Sequence, residues 1–283
     1  MSDALLSRFG MTESAFLGGG VEADVFLIDK QSVLRIEKPG RDPKAAQHRV
    51  DLLSKLTNAQ FSVPKVREFD VLEGVAFTVE DRLEGEPMSQ TLKTLHGGAR
   101  QDLILDYLDV SLQVGDLMTV SSGAEFGELG TAVPIRRKRF HDFLRARAEA
   151  SLAVKSLDVD LDSILSQVES PENAALVHLD YCPSNVLCEG NRITAVLDFG
   201  GTSILGADMF NPVVAKLFLT PAITPQATPS DLNLASEWLT SHTPQDVQDA
   251  VTEWLACYWS FCGTNEALPL YQWCLRTLGL RGG

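Results

Sequence analysis

The sequence predicts an α+β chain of two lobes, a small β-rich lobe over residues 1–82 and a larger, mainly helical lobe over residues 83–283. Three observations carry this. At 283 residues the chain exceeds one typical domain and has room for a substantial core. Up to Glu80, short apolar and β-branched runs are split by turn signals. After Arg82-Leu83-Glu84-Gly85-Glu86-Pro87 the spacing turns helical, as in Leu103, Tyr107, Val110, Val114 and Leu117.

In the first lobe, Ser14–Gly18 reads as a strand running into Gly18-Gly19-Gly20. Asp24–Ile28 and Val33–Glu37 form a hairpin around Asp29-Lys30-Gln31-Ser32. Asp42 as N-cap and Pro43 at N1 start a helix over Pro43–Leu56, with Leu52, Leu53 and Leu56 on its apolar face. Val66–Val71 and Val75–Glu80 form a second hairpin around Glu73-Gly74. In the second lobe, Leu176–Asp180, Val186–Cys188 and Ile193–Phe199 read as short strands. Arg136-Arg137-Lys138-Arg139 reads as a solvated helix start, and Trp254, Tyr258 and Phe261 as core. Thr220–Ser230 is a loop.

Composition narrows the function. The net charge is −14, whereas a duplex-binding protein needs a basic face to displace counterions, so no nucleic-acid partner is expected. No apolar run reaches the ~20 residues that span a bilayer, and no membrane partner is expected. The N-terminus lacks a secretory pattern. Five cysteines without a CxxC pair fit a reduced, cytoplasmic protein. The charge is uneven, with net −2 over residues 1–82 and −12 over residues 83–283.

The informative segment is His178-x-Asp180-x4-Asn185, followed thirteen residues later by Asp198-Phe199-Gly200. Phosphoryl transfer from ATP needs a carboxylate at the attacking hydroxyl and oxygen ligands that hold Mg²⁺ against the phosphates. Asp180 suits the first task, and Asn185 and Asp198 the second. Gly18-x-Gly20-x-x-Ala23-x-Val25 follows a phosphate-approaching glycine loop, in which backbone N–H groups come close to the ligand. Arg35, in Val33-Leu34-Arg35-Ile36, occupies the place of a strand cation that forks onto phosphate oxygens.

With these motifs, from Leu17 to about Leu219, the chain resembles the aminoglycoside phosphotransferase/choline kinase-like family, small-molecule relatives of protein kinases. The string Val79-Glu80-Asp81-Arg82-Leu83-Glu84-Gly85-Glu86 matches the pattern at which that family's chain crosses between lobes. The resemblance implies a two-lobed protein-kinase-like fold. It implies ATP held by Gly18, Gly19, Gly20, Arg35 and the hinge with Glu80 and Arg82, and Mg²⁺ at Asn185 and Asp198. It also implies Asp180 as the catalytic residue and His178 as a brace of the catalytic loop.

The departures matter as much. The helix lacks the glutamate that pairs with the strand cation. His48 or Arg49 sits near that place, and Asp51 points about half a turn away. Cys182 stands where relatives often carry His or Lys. Asp208 or Asn211 takes the place of an aspartate-rich helix anchor. Little chain separates Gly200 from the next helix, and no Ala-Pro-Glu follows, which argues against a peptide substrate. The reading is an ATP- and Mg²⁺-dependent phosphotransferase for a hydroxyl of a small, amine-bearing molecule (aminoglycoside-, amino-sugar- or choline-like). The alternative is a catalytically weak or inactive nucleotide-binding pseudokinase with a regulatory role.

Overall fold

The computed structural model describes residues 2–57, 59–120 and 123–280. The first lobe opens with helix α1 (Ser2–Arg8) and strands β1 (Phe16–Gly19), β2 (Ala23–Leu27) and β3 (Ser32–Glu37). Helix α2 (Pro43–Leu53) and strands β4 (Val66–Leu72) and β5 (Val75–Asp81) complete it. The five strands form one antiparallel sheet in the order β1-β2-β3-β5-β4. Glu73 and Gly74 both take left-handed backbone (φ 52° and 81°), the geometry that closes the β4–β5 hairpin tightly.

Side chains alternate across these strands. Phe26, Leu34, Ile36, Val75 and Phe77 face outward and are covered by Leu5 and Leu6 of α1, a helix the sequence reading did not foresee. The opposite face carries Arg35, Thr78 and Glu80 toward α2. Asp42 caps α2 through its side chain, as its sequence implies. The helix ends at Leu53 rather than Leu56. Its end and the following loop join the large core of the second lobe through Leu52, Leu53 and Phe61.

The second lobe begins with β6 (Glu86–Pro87), α3 (Met88–Thr91) and α4 (Gly97–Gln113), then β7 (Thr119–Val120), β8 (Phe126–Glu128) and β9 (Arg136–Arg137). Helices α5 (Phe140–Leu152) and α6 (Leu161–Leu165) precede β10 (Ala174–His178), β11 (Val186–Glu189), β12 (Arg192–Val196) and β13 (Ser203–Gly206). Helices α7 (Phe210–Phe218), α8 (Pro229–Thr240), α9 (Gln245–Trp259) and α10 (Pro269–Thr277) close the chain. Two small sheets, β7-β10-β13-β8-β9 and β12-β11-β6, carry the loops of the site.

Several expectations shift. Strands β10 and β12 stop at His178 and Val196, which leaves Asp180 and Asp198 on loops. Arg136 and Arg137 lie in a strand, and the helix starts only at Phe140. Trp254 and Tyr258 are core, while Phe261 sits at the surface with its ring against Tyr258. Two acidic residues of α4 are engaged within the second lobe: Asp106 accepts from the Ile193 N–H, and Asp109 from the Trp238 indole. No helix among the described residues is long and apolar enough to cross a membrane.

Candidate active site

Asp180 sits between two braced neighbours. The His178 ring accepts at Nδ1 from the Asp180 N–H (3.3 Å) and donates from Nε2 to the Leu197 carbonyl (2.9 Å). These two partners fix one neutral tautomer, because a proton on Nδ1 would face another donor. Burial likewise holds the His178 pKa below its ordinary value. Tyr181 and Tyr107 stack at 4.7 Å, and each hydroxyl donates to the other's backbone carbonyl (2.6 and 2.9 Å). The Trp259 indole donates to the Leu179 carbonyl (3.1 Å). Asn211 anchors the strand before the loop, accepting from the His178 N–H (3.0 Å) and donating to the Leu176 carbonyl (2.9 Å). Asp208 takes no part in that anchor and accepts from the Met209 N–H.

The Asn185 amide donates to the Asp180 carboxylate (2.9 Å) and carbonyl (3.0 Å). Its own oxygen is thereby turned away from Asp180. Burial, then the charge of Asp198, pushes the Asp180 pKa up to about 7. Cys182 stays a thiol, its pKa raised by burial and by the Asp180 charge. Asp198 holds left-handed backbone at φ 59°, an uncommon state for a non-glycine residue that turns the chain abruptly after β12.

Across the cleft, Arg35 meets no helix glutamate. Its guanidinium reaches Glu37 at 3.2 Å, Asp198 at 3.5 Å and Glu22 at 3.7 Å. The Arg35 side chain is only 12 % exposed, and its buried Nη2 has no hydrogen-bond partner. A buried, unsatisfied guanidinium nitrogen is costly unless a ligand completes it. Gly18 and Gly20 offer open space beside their backbone.

The ion pair between helix and strand exists with its polarity reversed. Arg49 of α2 forks onto Glu80 of β5 at 2.6 and 3.0 Å, and Thr78 donates to the same carboxylate at 2.5 Å. Burial disfavours both charges, but each outweighs that cost for the other, which raises the Arg49 pKa and lowers that of Glu80. Glu80 thus spends its carboxylate on α2. Arg82 is not brought to the cleft. With Lys30, Lys65 and Arg67 it lines a cavity of about 480 Å³ behind the hinge. The structure therefore gathers Arg35, His178, Asp180, Asn185 and Asp198 at one place, which the glycine loop approaches through Glu22. It adds Glu22, Glu37, Arg41 and Arg49, which no sequence motif singled out as a group.

Among the described residues, no three His, Cys, Asp or Glu side chains cluster to hold a metal. Asn185 and Asp198 nevertheless suit Mg²⁺, which usually takes one or two protein oxygens and completes its shell with substrate phosphates and water.

A family model described as the phosphotransferase enzyme family matches residues 14–204. No curated protein matches the chain by sequence. Among solved structures, the gentamicin complex of APH(2")-IIa is 16 % identical with a TM-score of 0.63, covering 99 % of this chain and 95 % of that one. The streptomycin–ATP ternary complex of the same protein is 15 % identical with a TM-score of 0.62, covering 92 % and 88 %. Macrolide 2'-phosphotransferase MphH from Brachybacterium faecium is 15 % identical with a TM-score of 0.56, covering 99 % and 98 %. These likenesses establish the two-lobed kinase-like fold, and the family match, over more than half of the chain, makes this protein a member of the phosphotransferase enzyme family.

Proposed function

We propose that the protein transfers the γ-phosphate of ATP to a hydroxyl of a small, amine-bearing molecule, with Asp180 as the catalytic carboxylate. The observation that carries this reading is the convergence of Asp180, Asn185 and Asp198 from one lobe with Arg35 from the other, Arg35 and Asp198 lying 3.5 Å apart. The acceptor oxygen forms a bond to the γ-phosphorus as the bond to the β-phosphate oxygen breaks. The hydroxyl proton passes to Asp180, and ADP leaves. A carboxylate whose pKa lies near neutrality is suited to take up that proton. Arg35 holds phosphate oxygens, and Nη2, which makes no hydrogen bond, is the donor available for them. Asn185 orients Asp180 with its amide and, with Asp198, would hold Mg²⁺, which supplies charge neutralisation on the transferring group. His178 acts as a positioning residue that ties the Asp180 backbone to Leu197.

The amine-bearing acceptor is supported by the net charge of −12 on residues 83–283 and by the gentamicin and streptomycin held by structural neighbours. Asp106 and Asp109 of α4 do not contribute, since they are turned toward β12 and α8. The test is phosphate transfer from Mg·ATP to a panel of amino sugars, amino alcohols, neutral sugars and nucleosides. Acceptor-dependent ADP release, best with a cationic acceptor, supports the proposal. ATP binding without transfer to any acceptor favours the pseudokinase reading, and a neutral or anionic best acceptor removes the amine.

A further inference from the structure

Glu22, at the turn of the glycine loop, points its carboxylate into the cleft. Oε1 accepts from the Arg41 guanidinium at 2.8 Å, and Oε2 lies 3.7 Å from that of Arg35. A Cβ built on Gly200 would lie 3.7 Å from Glu22 Oε2, and one on Gly201 would lie 3.6 Å from Oε1. The carboxylate therefore sits over the backbone that follows Asp198, between the glycine loop and the Asp198 side chain. A phosphate approaching Arg35 and Asp198 from the glycine loop would meet this carboxylate. Two buried donors here make no hydrogen bond, Arg35 Nη2 and Arg41 Nε, and each has only an ion-pair contact, to Glu22 at 3.7 Å and to Glu37 at 3.3 Å. Glu37 also faces both guanidinium groups, at 3.2 Å from Arg35 and 3.3 Å from Arg41. Lys38 is engaged with Asp24 at 2.6 Å and stands apart.

We propose that Glu22 is a resident carboxylate occupying a two-arginine phosphate cradle of Arg35 and Arg41, and that nucleotide phosphates enter by displacing it. The inference rests on the phosphotransferase reading and adds to it a second phosphate-binding residue, Arg41, together with a gate. The charges favour the exchange. Arg35 and Arg41 now face three carboxylates, those of Glu22, Glu37 and Asp198. A phosphate arriving while Glu22 remained would add like charge at close range. With Glu22 withdrawn, both guanidinium groups are released to anionic oxygens of the same forked geometry. The withdrawal needs only a side-chain rotation, because the Glu22 carbonyl is held by the Lys38 N–H at 2.8 Å and its side chain is a third exposed. The resident carboxylate acts as a competitor, so the apparent nucleotide affinity is reduced by the fraction of time the cradle is filled.

Calorimetric titration of ATP and of adenosine into the wild type, Glu22→Gln, Arg41→Gln and the double variant tests this, with melting curves to verify folding. Glu22→Gln is expected to bind ATP about tenfold more tightly and adenosine as the wild type does. In the Glu22→Gln background, adding Arg41→Gln is expected to weaken ATP binding about tenfold, with Arg41→Lys recovering part of it. Unchanged or weaker ATP binding by Glu22→Gln overturns the gate, as does an equal gain for adenosine, which would reflect loop mobility. Equal ATP affinity in Glu22→Gln and the double variant overturns the role of Arg41. Absence of ATP binding in both the wild type and Glu22→Gln overturns the phosphotransferase reading and this inference with it.

Discussion

Two arginines on facing elements of the first lobe meet opposite fates. Arg49 and Glu80 each expose 6 % of their side chains and match fork to fork, with the shortest contact at 2.6 Å. Arg35, one strand away from Thr78, is nearly as buried yet reaches its three carboxylates only at 3.2 to 3.7 Å, and each arginine leaves one buried nitrogen without a hydrogen bond, Nε in Arg49 and Nη2 in Arg35. In the first arrangement one carboxylate takes both terminal nitrogens at hydrogen-bond distance. The second is open, since the protein gathers charge there without satisfying it. The difference teaches that a cation under a kinase-like sheet is structural when one carboxylate takes both of its terminal nitrogens, and a binding group when several carboxylates share it at longer range.

The largest expected effect breaks the Arg49–Glu80 pair. Arg49→Ala leaves Glu80 charged and buried, which costs about 3–5 kcal/mol of stability, read from denaturant unfolding. Replacing both partners with apolar residues, Arg49→Met with Glu80→Leu, is expected to recover most of that loss. If Arg49→Ala unfolds like the wild type, the pair is not the strut of α2. Arg35→Ala is the contrasting change. It is expected to weaken ATP binding by about 10- to 100-fold, while the melting temperature without nucleotide moves by no more than about 3 °C. A large stability loss with unchanged ATP affinity would merge the two arginines into one class.

A smaller effect sharpens the comparison from the lower wall of the cleft. Asp180 has a folded-state pKa pushed up to about 7, above its unfolded value. A carboxylate raised in this way contributes stability that is present below the unfolded pKa and lost as pH rises through the folded one. Between those limits the buried, ionising group increasingly disfavours the fold. Asp180→Asn, which stays neutral, is therefore expected to melt about 2–6 °C above the wild type at pH 8 and by a smaller margin at pH 5. An equal margin at both pH values would show that the carboxylate is solvated like a surface one.

The lower wall was the part most legible in sequence. His178, Asp180, Asn185 and Asp198 stand at fixed separations on two short strands and the loops after them, so local chain geometry is enough to bring them together. The sequence offers His178 as a brace and Asp208 or Asn211 as an anchor; Asn211 takes the second role, and the Asp208 carboxylate accepts from the Met209 N–H instead. The upper wall was less legible because its partners are set by tertiary packing. The Arg49–Glu80 pair joins residues 31 apart with the usual polarity reversed, so a search for a helix glutamate passes it by. Glu80 and Arg82 belong to a recognisable string, but strand alternation sends Glu80 to α2, and the hinge carries Arg82 to the opposite side. Strands of two or three residues, such as β7, β8 and β9, are too short to show a period. They nevertheless hold the segment whose Thr131 carbonyl meets His48 of α2 at 2.6 Å. Helix α1 is seven residues long, and among its described side chains the apolar face is the adjacent pair Leu5 and Leu6, too little for a helical signature.

The most direct test of the role of Asp180 is the turnover of Asp180→Ala against the wild type, measured with the best acceptor and saturating Mg·ATP, alongside the ATP dissociation constant of each. Turnover is expected to fall about 10²- to 10⁴-fold with ATP affinity within about threefold of the wild type, because Asp180 acts on the acceptor hydroxyl while Arg35 holds the phosphates. Comparable turnover in the two proteins would contradict the role assigned to Asp180.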